Sequence, residues 1–279
     1  MDLKFFSRVI LGPIRNFTLS SSAIQKKPNV TSAGIVVIGD EILKGEVLDS
    51  NSRFLAKELH RLGLRLRKIS IIPDDVEMIS NEVQNFSRKY DYVLTTGGIG
   101  PTHDDVTYEG VALAFNKPLY LHPELKDICC EFYRTEDSSG AGMKLAYIPK
   151  SSMLNYKTVS GSDLAYPMVS IKNVYMFPGI PELLQKTFLE VSPILFRCAN
   201  RFYSRYLFCN LPEHKIVTQL QQVVDQFPDV RFGCYPKLFH SVYKVKLTIE
   251  SSNEDSTLKA HARLMELIPK NCIVEMDDA

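Results

Sequence analysis

The stretch YDYVLTTGGIGPTHDDVTYEGVALAF, residues 90–115, carries the pattern on which the predicted fold depends. Its first part, residues 90–98, predicts a strand that runs directly into a loop. A glycine-rich loop follows, and residues 106–115 then have the composition of a helix. Such a loop between a strand and a helix lets backbone N–H groups approach an anion. The adjacent Asp104 and Asp105 should repel the same anion, and this conflict needs a physical explanation.

The alternation of strand and helix begins well before this stretch. Residues 32–41 predict a strand that is buried on both faces, and residues 64–73 predict a second strand. Residues 50–63 and 76–89 place apolar side chains at helical spacing. This order implies right-handed crossovers and a parallel sheet with helices on both faces. We therefore predict an α/β fold, with three α/β/α layers around a mostly parallel sheet.

The remainder of the chain divides into three parts. Residues 116–165 are less regular, and the segment 149–167 is an excursion that could cover a pocket. Residues 168–191 predict a hairpin that turns at Lys172 and Asn173, then a loop and a helix. From residue 200 onward, alternating strands and helical segments predict a small α+β domain. The predicted organisation is a leader over residues 1–30, the α/β domain over 31–199 and the small domain over 200–279.

The predicted leader differs in composition from the rest of the chain. It is rich in serine and basic residues and has few acids, which is typical of a mitochondrial transit peptide. The residues concerned are Lys4, Arg8, Arg15, Lys26, Lys27 and the serines 20–22, against Asp2 alone. We expect a protein of the mitochondrial matrix. The alternative is a leader that carries no targeting signal, on a cytoplasmic protein.

Composition argues against several classes of partner. The 33 basic and 32 acidic residues leave a formal charge of +1, so nothing in the overall charge favours nucleic acid or an anionic membrane. No apolar run approaches the roughly 20 residues that span a bilayer. The small domain has neither a Gly-x-x-Gly loop nor a basic stripe, so we do not expect it to bind RNA. The six scattered cysteines favour a reducing compartment.

Pairs of acids follow the first three predicted strands. Asp40 and Glu41 follow the first, residues 74–75 follow the second, and residues 104–105 lie in the glycine loop after the third. Ligands of open parallel sheets bind beyond the carboxyl ends of the strands, so these loops should share one site. A hard divalent cation can bridge carboxylate and phosphate oxygens, which would resolve the charge conflict. For any single acid, an N-cap or a solvated loop is the ordinary alternative, above all for Asp75 and Asp105.

Four segments together resemble the molybdopterin-binding (MoaB/Mog) domain family: residues 39–63, 71–79, 94–115 and 174–184. Within this family, the sequence is most similar to the amino-terminal domain of eukaryotic FAD synthases. The second most similar group is the bacterial CinA-type proteins. The resemblance runs from about Ala33 to the carboxyl end. It implies the α/β/α fold of that family, and a homo-oligomer, because Mog-type relatives commonly form trimers.

The resemblance also implies roles for individual positions. The essential aspartates of the family fall on Asp75 and Asp105, which become the expected metal ligands and, with Asp104, the expected catalytic residues. The Asp-x-Asn helix start of the family falls on Asp49 and Asn51. The residues expected to bind phosphate or nucleotide are Gly97, Gly98, Gly100, Thr102, Asp40, Glu41, Asn51, Pro178, Gly179 and Pro181.

The activity that the resemblance implies is metal-dependent hydrolysis of a pyrophosphate bond. The substrate would be FAD, giving FMN and AMP, or ADP-ribose, with Co²⁺ or Mg²⁺ and with K⁺ as a further cation. A water activated by the cation would attack phosphorus while backbone N–H groups hold the developing charge. His103 could relay a proton, or it could simply pack in the loop.

Two other functions stay open at the level of sequence. One is a binding or regulatory module that holds a flavin or pterin nucleotide without turnover. The other is adenylyl transfer to molybdopterin. The residues around Asp105 and Pro178 match the FAD synthase branch of the family better than the Mog branch. The segment that performs FMN adenylylation in FAD synthases, a PAPS reductase-like domain, has no counterpart in residues 1–279. We therefore expect no FAD synthesis from this chain alone.

Overall fold

A computed structural model describes residues 31–134, 140–198 and 201–276. The predicted leader, residues 1–30, and the predicted domain boundary at residues 199–200 lie outside the described residues. Among the helices that the structure describes, none is both long and apolar enough to cross a membrane.

The first domain contains eight strands and six helices among the described residues. In chain order they are β1 Ser32–Ile38, α1 Asp40–Leu43, α2 Ser50–Arg61, β2 Arg65–Ile72, α3 Val76–Lys89, β3 Tyr92–Thr96, α4 Thr107–Ala114, β4 Leu119–Leu121, α5 Pro123–Tyr133, β5 Tyr147–Pro149, β6 Met153–Lys157, β7 Asp163–Ile171, β8 Val174–Phe177 and α6 Pro181–Leu195. A 3-10 helix, Ala141–Ala146, precedes β5.

The main sheet has the strand order β2-β1-β3-β8-β7-β6. The first four strands run parallel, and β7 and β6 continue the sheet antiparallel. The predicted hairpin between β7 and β8 is confirmed, and Lys172 takes the left-handed conformation at its turn, with φ of 53°. The prediction of a mostly parallel α/β sheet is therefore confirmed.

Strand β1 lies at the centre of the layers and is buried on both faces. Val36 and Ile38 pack into the core that α3 and α4 cover, whereas Ile35 and Val37 pack into the core on the opposite face, under α2 and α6. Each fully buried aliphatic side chain of this kind stabilises the fold by about 1.5–3 kcal/mol. The apolar run that predicted a doubly buried strand therefore has a direct structural cause.

Residues 116–165 contain more regular structure than the sequence pattern indicates. Helix α5 begins at Pro123, a residue suited to the first helical position, and ends where Arg134 takes the left-handed conformation. Within α5 only Leu125 and Cys129 are buried. This narrow apolar stripe explains why the helix gives a weak periodic signal.

The second domain folds as the predicted small α+β unit. Its elements are β9 Tyr203–Cys209, α7 Val217–Gln226, β10 Arg231–Pro236, β11 Val245–Ser251, α8 Glu254–Leu267 and β12 Ile273–Val274. The strands form an antiparallel sheet in the order β10-β11-β9-β12. Val245, Leu247 and Ile249 of β11 point into the core with residues of both helices, as the strict alternation predicted.

One ion pair joins the two domains directly. His60 Nε2 on α2 lies 2.6 Å from Glu250 Oε2 on β11, and the Ser204 hydroxyl donates to the same oxygen over 3.0 Å. The hydrogen bond to Glu250 raises the pKa of His60. Burial would raise the pKa of Glu250, but the hydrogen bond and charge of His60 oppose burial and the net pKa is lowered. The His60 ring also stacks on Phe202, with centroids 5.0 Å apart.

We expect this pair to stabilise the protein most between pH 4.5 and 6.5, the ordinary pKa values of the two groups. The pKa of folded His60 lies above its ordinary value, so its contribution is lost as pH rises through that folded pKa. The pKa of folded Glu250 lies below its ordinary value, so its contribution is lost as pH falls through that folded pKa. The melting temperature of His60→Gln should therefore fall furthest below the parental value near pH ~5.5, and less at pH ~8.

Lys259→Gln is the matched control, because it removes an exposed ion pair with Asp255 that contains no histidine. Its effect on the melting temperature should stay constant from pH ~5 to ~8. A pH-independent effect of His60→Gln would contradict the assigned role of the pair.

Candidate functional site

A cleft of about 1010 Å³ opens at the carboxyl ends of the parallel strands. Its wall includes Glu41 after β1, Asp74 after β2, the glycine loop after β3, and Pro178 and Gly179 after β8. The strand-end loops that the sequence analysis grouped together are thus brought to one place. Within the glycine loop, the residues that line the cleft are Gly97, Gly98, Ile99, Gly100, Pro101, Asp104 and Asp105.

Gly97 is required by a close approach of two backbone segments. Its φ is 101°, and a Cβ at this position would overlap the carbonyl oxygen of Ile38 at the end of β1. No other residue type can take this conformation in this space without moving a strand. Gly98 also has a positive φ, of 59°. The loop is therefore packed against the sheet and is not a free surface turn.

The backbone of the glycine loop leaves donors available to a ligand. The carbonyl groups of Gly97 and Gly98 are both used, since they accept from the Thr107 hydroxyl over 2.8 Å and the Thr107 N–H over 3.0 Å. Within the part of the chain that the structure describes, no protein acceptor pairs with the N–H groups of Gly98, Ile99 or Gly100. Consecutive unpaired N–H groups in such a turn favour an anion.

Asp105 orders the glycine loop and does not cap α4. The helix begins at Thr107 with Val106 at the N-cap, and no side chain caps it. The alternative that Asp105 is an N-cap is therefore wrong. Its Oδ2 instead accepts from the Thr102 N–H over 2.8 Å and from the Thr102 hydroxyl over 2.6 Å.

Asp104 lies on the exposed side of the same loop and lines the cleft. The hydroxyl of Thr102 hydrogen-bonds to its carboxylate, and this contact lowers the pKa of Asp104. His103 has a side chain that is 99% exposed, with Nδ1 3.8 Å from Asp104 Oδ1. His103 therefore does not pack in the loop, and it is not among the residues that line the cleft.

The structure places Asp74, the neighbour of the predicted Asp75, in the cleft wall. Asp75 is exposed and caps α3, because its Oδ1 accepts from the N–H of Met78 over 2.8 Å. Asp74 Oδ2 accepts from the N–H of Asp40 over 2.9 Å, which joins the loops after β1 and β2. Burial raises the pKa of Asp74, and the nearby carboxylates of Asp40, Glu41 and Asp104 raise it further.

Asn51 connects three segments beneath the cleft. Its amide donates to the hydroxyl of Thr96 over 3.0 Å and to the carbonyl of Gly179 over 2.7 Å. Thr96 in turn donates to the carbonyl of Pro178 over 3.1 Å. The Asn51 Oδ1 is buried and has no partner among the described residues. Asn51 also lines a 70 Å³ pocket that shares Glu41 and Gly97 with the cleft.

The other predicted positions lie around this centre. Asp49 caps α2 by accepting from the N–H of Ser52 over 2.9 Å. Pro181 begins α6 and borders the small pocket. Asp40 lies 3.4 Å from the ammonium of Lys44 and is not part of the cleft wall.

Sequence reasoning missed two lysines at the site. Lys144 donates to the carbonyl of Thr102 over 2.7 Å and so holds the loop from the far side. Lys186 lies on the cleft wall, on the exposed side of α6. Neither lysine belongs to a recognisable motif, and only folding brings Lys144 to the glycine loop and Lys186 to the cleft wall.

The donor set suits a cation that arrives together with phosphate. Among the described residues, no group of three or more His, Cys, Asp or Glu side chains is arranged to hold a metal ion by itself. The charge of Asp104 nevertheless raises the pKa of Asp74, and Asp74, Asp104 and Asp105 all line the cleft. Mg²⁺ is commonly held by one or two carboxylates together with the phosphates of a substrate. The residues present fit a site in which carboxylates and substrate phosphates hold the cation together. They do not fit a site in which protein side chains alone surround it.

Two protein families match consecutive parts of the chain. Residues 34–197 match the family described as "Probable molybdopterin binding domain". Residues 201–277 match the family described as "FAD synthase, middle domain". The two matches together span nearly all of the described chain.

Curated proteins are similar to this chain over most of its length. A "Probable FAD synthase" of Caenorhabditis elegans is 39% identical over 264 residues, which cover 87% of this chain and 51% of that protein. A "CinA-like protein" of Thermosipho melanesiensis is 26% identical over 204 residues, covering 70% of this chain and 49% of that protein. The chain thus spans about half the length of these curated relatives.

A solved structure shares the fold of the first domain. The crystal structure of the protein CinA from Thermoplasma acidophilum superimposes with a TM-score of 0.54 at 25% identity, covering 60% of this chain and 98% of that one. The mostly parallel sheet and the glycine loop described above lie in the part of the chain that the first family match covers. The chain therefore belongs to the MoaB/Mog-like molybdopterin-binding domain family and continues into a FAD synthase middle domain.

Proposed function

We propose that the cleft hydrolyses the pyrophosphate bond of an adenylated substrate, either FAD or the nucleotide sugar ADP-ribose. One observation carries the proposal: unpaired backbone N–H groups and several carboxylates line the same cleft. The N–H groups of Gly98 and Gly100 favour phosphate oxygens, and the carboxylates favour a cation that phosphate would bring. A site that only bound an anion would gain nothing from the carboxylates.

The glycine loop holds the phosphate oxygens in this proposal. Its N–H groups are fixed before the ligand arrives, because Gly97 packs against Ile38 and Thr107 holds the loop carbonyls. Donors that need no rearrangement stabilise the charge that develops on phosphate oxygens during attack at phosphorus. Lys186, which also lines the cleft, adds a positive charge to it.

The carboxylates have distinct tasks because their environments differ. Asp104 is exposed, its pKa is lowered, and it stays ionised beside Asp105. These two would hold Co²⁺ or Mg²⁺, with K⁺ as a further cation, and the ion would offset phosphate charge and acidify a bound water. Asp74, whose pKa is raised by burial, is the better group to accept a proton from the attacking water.

A second candidate is a binding module that holds a flavin nucleotide without turnover. The hydrogen bonds from Thr102 to Asp104 and Asp105 favour it, since carboxylates used to order a loop have fewer lone pairs for a metal. The two candidates share the ligand and differ in whether products form.

A panel of substrates and metals separates the two candidates. We expect the purified chain to release AMP from FAD or ADP-ribose when Co²⁺ or Mg²⁺ is present, and to stop when EDTA removes the metal, because the carboxylates then have no cation to hold. Product identification by liquid chromatography and mass spectrometry is the measurement. Binding of FAD with no product at any metal would favour the binding module.

A second prediction compares two neighbouring aspartates. Asp74→Asn should lower the hydrolytic rate by about 100-fold or more, because a proton acceptor in the cleft is lost. Asp75→Asn should leave both rate and melting temperature close to parental, because Asn caps a helix about as well as Asp. Steady-state kinetics and thermal melts of both variants provide the measurement. A large loss of rate in Asp75→Asn, with a near-parental rate in Asp74→Asn, would contradict the role of Asp74. It would support Asp75, the residue that the family resemblance implies.

A further inference from the structure

The loop between β10 and β11 of the small domain presents large apolar side chains to solvent. We call this loop, residues 237–244, the hairpin tip. Within it Phe239 is 100% exposed, Leu238 is 87% exposed and Val242 is 47% exposed. Apolar side chains that are exposed singly are ordinary, whereas several in one short loop mark an interaction surface.

The hairpin tip is held in place by the sheet behind it. The N–H of Lys237 donates to the carbonyl of Lys244 over 2.7 Å, which closes the loop. His240 Nδ1 accepts from the N–H of Tyr243 over 3.3 Å, and the two rings lie 4.0 Å apart. Tyr243 is buried and packs edge-on against Phe208 of β9, with ring centroids 4.9 Å apart. The exposed apolar side chains are therefore presented by an ordered loop.

Positive charge flanks the apolar side chains of the hairpin tip. From residue 230 to residue 249 the chain contains no Asp or Glu, whereas Arg231, Lys237, Lys244 and Lys246 are basic. Lys237 and Lys244, at the two ends of the loop, are both exposed. This local excess is hidden in the overall formal charge of +1, which by itself favours no anionic partner. The hairpin tip is thus complementary in charge to an anionic surface.

The sheet face next to the hairpin tip carries aromatic and basic side chains. Lys246 alternates with the residues of β11 that point to the helices, so it points to the opposite face of the sheet. Its ammonium lies 4.1 Å from the ring centre of Tyr206 on β9. Tyr235, its neighbour across the sheet on β10, is 53% exposed. Tyrosine and lysine are the side chains that lie at the level of lipid headgroups, with an apolar body and a polar end.

We propose that the hairpin tip inserts into the interface of an anionic lipid membrane and holds the chain at the membrane surface. Leu238 and Phe239 enter the boundary between headgroups and acyl chains, while Lys237 and Lys244 contact the anionic headgroups. A soluble polyanion would pair with the lysines but would leave the aliphatic Leu238 in water. The inference concerns the small domain and does not depend on the proposed hydrolysis.

A single tryptophan tests the insertion at this site alone, because the chain contains none. Phe239→Trp in the full chain is mixed with vesicles of phosphatidylcholine, or of phosphatidylcholine and phosphatidylserine in equal parts. With the mixed vesicles we expect the emission to shift to shorter wavelength and acrylamide to quench it less, because the indole leaves water. With phosphatidylcholine alone the change should be much smaller. An emission that the mixed vesicles leave unchanged would overturn the proposal.

Leu258→Trp is the matched control, because this leucine is 43% exposed on α8, which packs on the other face of the sheet. Its emission should respond to neither kind of vesicle. A shift as large as that of Phe239→Trp would show that the vesicles act on the whole protein, and it would contradict insertion of the hairpin tip.

Further substitutions in Phe239→Trp separate the apolar contribution from the charged one. Leu238→Ala should weaken binding to the mixed vesicles about tenfold or more, because one large apolar side chain no longer leaves water. Lys244→Gln should weaken it about fivefold, and added salt should shrink this difference. Lys259→Gln on α8 should leave the affinity unchanged. Affinities that neither Leu238→Ala nor Lys244→Gln lowers would reject the assigned contacts.

The same reporter distinguishes a membrane from the other partners that lysine and aromatic side chains attract. An emission of Phe239→Trp that responds to a single-stranded oligonucleotide but not to the mixed vesicles would assign the hairpin tip to nucleic acid and overturn the proposal. A shift that appears without vesicles as the protein concentration rises would assign it to a second copy of the chain, with the same consequence.

Discussion

The contact between Gly97 and the carbonyl oxygen of Ile38 sets the position of the candidate site. Two parallel strands, β1 and β3, end side by side, and the loop after β3 crosses directly over the end of β1. Any side chain at Gly97 would push the loop away from the sheet. The approach brings the N–H groups of the loop, the acids after β1 and β2, and the second loop after β8 to one edge. Phe177 at the end of β8 completes this edge, since its carbonyl accepts from the Gly97 N–H over 3.3 Å.

The conflict between glycines and aspartates in one loop is resolved by geometry. The carboxylate of Asp105 accepts from Thr102 within its own loop, and Asp74 accepts from the backbone of Asp40. The charges are thus held at the cleft wall by backbone donors, and the N–H groups from Gly98 to Gly100 remain for a ligand. A phosphate and a cation that enter together would satisfy both sets of groups, as the proposed hydrolysis requires.

The two domains have different parts in the candidate site. The small domain contacts the first domain through an ion pair whose strength depends on pH, whereas the cleft lies within the first domain. The cleft wall combines the backbone donors and carboxylates of the strand-end loops with aromatic side chains, among them Tyr166, whose hydroxyl donates to the carbonyl of Leu145.

The sequence by itself determined the layers of the fold, because a strand buried on both faces needs an unbroken apolar run and an amphipathic helix needs a periodic one. It also located the glycine loop, the strand-end acids and the hairpin at Lys172, which depend on local chemistry. Only the tertiary structure decided which acid of the first two pairs faces the cleft. Asp75 is turned away by capping α3, so Asp74 takes the inner position. The aromatic part of the cleft wall was also decided only by folding, because Phe132 and Tyr166 are distant along the chain and their segments give weak periodic signals. A local pattern records the neighbours of a residue along the chain, whereas a cleft is built from residues that meet only when helices and strands pack.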